Sequence, residues 1–184
     1  MTEKLLSFNN QLTIADESGH ELFLAKSKLT SLGNQYTFTD LAGKELAFIK
    51  QRVFAWRPTY EIHCEGRPTV VIQQGFLPFL NPKLTIKAIG PDGSFTIKGS
   101  GLCLKIKDQI AYHEYTHTIE RPNKLVAKAT WEFHQKMVHG IAMPQGGTCE
   151  IEVNEGEDPI FLLACYVVIY IVCHKGGARL FNGN

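Results

Sequence analysis

Apolar and polar residues alternate in short blocks along the first hundred residues, and the blocks recur every 24 positions. Leu12, Tyr36, Tyr60 and Leu84 share one register, and Ile14, Phe38, Ile62 and Ile86 share the position two residues on. A fixed period of this size marks one supersecondary unit copied in tandem. Each copy reads as an up-strand, a turn and a down-strand. The turns fall at Asp16–Gly19, Asp40–Gly43, Glu65–Pro68 and Gly90–Gly93, rich in the Gly, Asp and Pro that turn geometry favours. The third turn is about one residue shorter or differently bulged. In the up-strands, Leu12/Ile14, Tyr36/Phe38, Tyr60/Ile62 and Leu84/Ile86 are expected to face inward with the threonines outward. The down-strands carry apolar residues on both faces, Leu24, Phe48 and Ile72 on one and Ala25 and Ile49 on the other, so alternation does not assign them. A looser copy spans His113–Trp131, turning near Pro122–Asn123, and a further strand is expected at Thr148–Val153. Hairpins in series, about 11 or 12 strands in all, must form a sandwich or close on themselves.

The last element decides between these. Asp158–Pro159 is a helix opening, an N-cap followed by Pro at the first helical position. Ile160 to Cys173 then carries no charge and no polar face, and His174–Gly177 offers a C-terminal stop. A helix that is apolar all round must be enclosed on every side. Lipid would require about 20 apolar residues, and this stretch has 14. Protein enclosure is therefore expected: a closed antiparallel β-barrel of about 12 strands around a central helix over about 159–174, with no transmembrane span.

Composition adds bounds. A chain of 184 residues with 44% hydrophobic content fits a single globular domain over 1–184. Nineteen basic and 18 acidic residues give a net charge of +1, so no bulk charge calls for nucleic acid. The five cysteines are odd in number and lack CxxC spacing, and the first residues lack the apolar core of a secretion signal. Free thiols in a cytoplasmic protein are expected.

The stretch SLGNQYTFTDLAGKELAFIKQRVFAWRPTY, Ser31 to Tyr60, resembles the recurring pattern of the LURP-one-related proteins. His113–Thr116, the strand around Lys128 and the apolar C-terminal helix are similar to that family as well. The resemblance implies a tubby C-terminal-like fold, a 12-stranded barrel around a hydrophobic helix, in a group shared with phospholipid scramblases. It also implies a site. Tubby proteins carry a basic run that binds phosphoinositide headgroups, and matching its Gly and Asp to Gly33 and Asp40 places its Lys and Arg on Lys26 and Lys28. Lys28 stands where tubby has Arg, and a bidentate fork is lost. Lys50 and Arg52 repeat the spacing one copy later.

Two partner classes follow: an anionic phospholipid surface met by Lys26, Lys28, Lys50 and Arg52, or an unidentified protein for which the barrel is a scaffold. Solvated surface charge is the bland alternative for these four residues. Trp56, beside Arg57, is either a filler or part of a membrane or partner surface. His113–His117 matches the zinc-peptidase pattern H-E-x-x-H, which needs a helix to bring both imidazoles together. The residues around it favour a strand, where positions four apart lie about 13 Å from each other. No metal, no cofactor and no catalytic residue is therefore expected. His63–Cys64 are strand neighbours and point to opposite faces, which removes a nucleophile pair.

Overall fold

The computed structural model describes residues 2–8, 11–30, 33–74, 85–90, 93–99, 103–107, 110–122, 124–138 and 141–172. The first eight strands are β1 (Thr2–Phe8), β2 (Gln11–Ala15), β3 (Glu21–Thr30), β4 (Gly33–Asp40), β5 (Glu45–Gln51), β6 (Thr59–Cys64), β7 (Val70–Gln74) and β8 (Thr85–Gly90), and the repeated hairpins pair β2 with β3, β4 with β5 and β6 with β7. Then come β9 (Gly93–Gly99), β10 (Cys103–Lys107), β11 (Ile110–Arg121), β12 (Lys124–Val138) and β13 (Ile141–Val153), before the helix α1 (Pro159–Tyr170). Ile171 and Val172 continue the helix in a wider π turn, and the expected stop at His174–Gly177 lies outside the described residues. The fold is thus mostly antiparallel β with one C-terminal helix.

The hydrogen-bonded order is β10-β11-β12-β13-β1-β2 and onward through β9, and β9 pairs a second time with β11. The expected strand number of about twelve is corrected to thirteen among the described residues. Two features account for the difference. Thr2–Phe8, unassigned from the sequence, forms β1 and pairs with β13 and β2. Along β11, Gly99 lies opposite His117 while Cys103 lies opposite Glu114, so β9 and β10 share one partner as separate strands.

The 24-residue period has a geometric counterpart in the turns. The Gly19 amide donates to the Asp16 carbonyl at 3.0 Å, and the Gly43 amide donates to the Asp40 carbonyl at 3.1 Å. Both glycines have φ of +85°, in the left-handed region that glycine enters without steric cost. Asp16 and Asp40 each accept the amide four residues on, from His20 and Lys44, through side-chain Oδ1. The preceding strand bulges at Ile14/Ala15 in one copy and at Phe38/Thr39 in the next.

The third copy departs from this. Its turn closes between the Arg67 amide and the Cys64 carbonyl at 3.2 Å, and the β6–β7 pairing carries no bulge. One residue fewer exchanges the two faces of the return strand. Ala25 and Ile49 point into the core in the first two copies, whereas Ile72, which aligns in sequence with Phe48, is buried in the third. The up-strand expectation holds for Leu12/Ile14, Tyr36/Phe38 and Tyr60/Ile62, all buried, although Thr13 is buried as well. The Leu84/Ile86 pair falls outside the residues whose side chains are described.

Residues of β2 to β7, β9 and β11 to β13 form one core with the helix. Nine consecutive helical residues, Phe161 to Ile169, are buried, and nine residues exceed two turns, so every side of α1 is covered. The helix opens as the sequence indicates. Asp158 Oδ1 accepts the amides of Ile160 at 2.9 Å and Phe161 at 3.2 Å, with Pro159 behind it. Its other oxygen takes Arg67 Nε at 2.8 Å, and the Arg67 guanidinium lies 5.5 Å from the Phe161 ring centroid. The short third turn therefore holds the helix start. On the approach to α1, Glu157 bonds Lys124 Nζ at 2.6 Å and Arg121 at 3.2 Å. No helix among the described residues is long and apolar enough to cross a membrane.

Candidate functional site

The burial of Ala25 and Ile49 sends their strand neighbours to the other face, since successive residues of a strand alternate. Lys26 and Lys28 on β3 are exposed, and Lys50 on β5 is half-buried. The register joins them into a patch. Lys28 faces Gln35 on β4, Gln35 faces Lys50, and Lys50 faces Glu61 on β6. Strands two apart lie about 9.5 Å from each other, and residues two apart along a strand about 7 Å. Long lysine side chains span both distances. Among the described residues no carboxylate pairs with Lys26, Lys28 or Lys50.

Arg52 is placed differently. It follows the end of β5, and Glu61 Oε1 accepts its Nε at 2.6 Å. The second Glu61 oxygen lies 3.7 Å from His63 Nε2. The four basic residues named from the sequence thus occupy one outer region, with Arg52 balanced by a carboxylate. That carboxylate is visible only once the β5–β6 register is known, because Glu61 lies in the next copy.

Beyond Arg52 the chain leaves the sheet for a link, residues 53–58, before β6. Its base is fixed: the Arg52 amide donates to the Thr59 carbonyl at 2.8 Å, and Thr59 Oγ1 donates to the Arg57 carbonyl at 2.9 Å. Gly33, with φ of +98°, packs beneath it so closely that a Cβ there would stand 2.8 Å from Val53 Cγ2. Between these supports the link carries Phe54 at 97% exposure and Trp56 at 103%. A groove of about 480 Å³ runs beside it, walled by Lys50, Arg52, Val53, Phe54 and Glu61. Sequence reasoning singled out Trp56 and missed Phe54 and the groove. The available signal was a pair of large aromatics in a link outside the alternating pattern, bracketed by Arg52 and Arg57.

The chemistry weighed elsewhere stays apart from this region. His113–His117 lies on β11, in extended backbone as expected, and His117 is buried. Burial pushes the His117 imidazole down to about 4, so it is neutral near pH 7. No group of three or more His, Cys, Asp or Glu among the described residues is arranged to hold a metal. Cys64, Cys149 and Cys165 are free thiols. Burial raises all three thiol pKa values, that of Cys64 to about 11, so none is poised as a nucleophile at neutral pH.

A family model described as LURP-one-related matches residues 1–170. No curated protein and no solved structure matches the chain.

Proposed function

The chain belongs to the LURP-one-related family, and from that premise we propose that it is a non-enzymatic binding module that docks on anionic phospholipid headgroups. The observation that carries this reading is the trio Lys26, Lys28 and Lys50. All three lie on the outer face of β3 to β5, Lys28 and Lys50 in register through Gln35 and Lys26 two residues along β3, without a carboxylate partner among the described residues. Arg52 joins them with its charge countered by Glu61. Each basic residue near an anionic surface contributes about 1 kcal/mol, so the trio supplies about 3 kcal/mol at low salt. Such docking is reversible and falls as the Debye length shortens toward about 8 Å at physiological ionic strength.

The carrier is a single tubby-like domain whose wall is a closed barrel. The second pairing of β9, through Gly99–His117 to Thr96–Glu120, supports closure. So does the burial of α1 on all sides. Free thiols support a cytoplasmic protein that visits the membrane from its surface.

The test is flotation of the purified protein with neutral vesicles and with vesicles containing anionic lipid, at low and at physiological salt. Enrichment on the anionic vesicles that salt reduces, and that K26A/K28A/K50A abolishes, is the expected result. Equal recovery on both vesicle types would overturn the reading and leave a protein-binding scaffold in its place.

A further inference from the structure

Charge alone makes a weak membrane contact, and stable attachment takes a second, apolar signal. The chain carries one in an unusual place. Five large hydrophobic residues are exposed among those described: Leu41, Val53, Phe54, Trp56 and Leu125. Three of the five fall within four consecutive positions, and the two aromatics there are the most exposed of all. Scattered single apolar residues on a surface are ordinary, but a tight cluster marks a contact. Solvation of a loose end does not explain this cluster, because the link is bonded at its base to Thr59 and packed on Gly33.

From this we infer that the β5–β6 link is a membrane-inserting finger: Phe54 and Trp56 enter the interfacial layer of an anionic bilayer while the headgroup phosphate lies in the groove beside Lys50. This inference rests on the anionic-surface reading above and deepens it. The occupant is identified by the surroundings of the two rings. Arg52 and Arg57 flank them in sequence, and Lys50 lines the groove that Phe54 walls. Beyond Lys50, the row continues through Gln35 to Lys28, with Lys26 on the same face. An apolar tip rising from a collar of cations complements the layered chemistry of a bilayer with anionic headgroups. Trp is favoured at that depth because its ring is apolar and its N–H stays wet. Glu61 shares the groove, and its pairing with Arg52 keeps its charge from facing the headgroup unopposed.

Tryptophan fluorescence reads this directly, since the chain has two tryptophans and Trp131 is buried and stacked on Tyr170. With vesicles containing anionic lipid, Trp56 emission is expected to shift to the blue and to be quenched by lipids brominated along the acyl chain. Trp131, observed alone in W56S, is expected to stay unchanged. F54S and W56S, both at exposed positions, are expected to fold and each to lower vesicle partitioning by about tenfold. Vesicle binding with unshifted, unquenched Trp56 would overturn the finger and leave the headgroup reading intact. Loss of all binding to anionic vesicles would overturn both. Wild-type partitioning of F54S and W56S would overturn the finger and point to a protein partner for the two rings.

Discussion

Replacing Asp158 by Ala removes two interactions that meet at one side chain. The first is the N-cap: Oδ1 accepts from Ile160 and Phe161 amides that the helix itself cannot satisfy. Losing an N-cap oxygen costs about 1 kcal/mol, within a range of about 0.5–2. The second is the contact with Arg67 at 2.8 Å, between side chains 33% and 28% exposed. Partial exposure screens that pair, so its worth is put at about 0.5–1 kcal/mol. The sum, about 2 kcal/mol, lowers Tm by about 4–8 °C for a domain of this size. Asp158→Asn separates the two terms, because Asn caps nearly as well and carries no charge for Arg67. Its expected loss is about 0.5–1 kcal/mol, or about 1–4 °C. Urea or thermal unfolding of wild type, D158N, D158A and R67Q gives all four values. Equal loss in D158N and D158A would refute the cap. A D158A loss under about 0.5 kcal/mol would refute the view that this residue fastens the helix to the third turn.

Three more expectations follow from the described residues. The buried His117 binds its proton near pH 4 when folded and near the ordinary value of about 6.5 when unfolded. The unfolded state thus takes up the proton first as pH falls, and stability drops by about 3 kcal/mol between pH 6.5 and 4. H117L should lack this component in a comparison of denaturant midpoints across pH. Gly33→Ala forces a side chain into positive φ and against Val53, for a loss of about 1–3 kcal/mol; V53A in the same chain should recover only the steric part, as read by chemical unfolding. Cys149 and Cys165, buried and held protonated, should resist alkylation at pH 8 until denaturant is added, with Cys64 intermediate, as mass spectrometry of the modified sites will report.

The tandem hairpins were legible because the period of 24 fixes turn chemistry as well as strand pattern. Asp16 and Asp40 make the same hydrogen bonds one period apart. Asp158–Pro159 announced the helix for a similar reason, since capping is a local interaction between near neighbours. Parity in the return strands was not legible. It depends on whether a turn absorbs one residue more or fewer, which exchanges the fates of Phe48 and Ile72. The candidate site divided along the same line. Lys26 and Lys28 belong together by strand alternation, whereas the bond between Arg52 and Glu61 arises from pairing across a link and had no local signature. The short strand β1, with few residues and no partner nearby except β2, gave no periodic signal of its own and owes its other pairing to distant β13.

The place of α1 in chain order has a consequence for biogenesis. The strands precede it, and the hydrophobic faces of Ile14, Phe38, Ile49 and Ile62 are completed by side chains that a ribosome adds more than 90 residues later. At elongation rates of about 5–20 residues per second, the nascent sheet waits roughly 5–30 seconds for its filling. During that interval its sticky inner faces are open to any chaperone at the exit tunnel, and the domain becomes whole only after Pro159–Tyr170 has been translated.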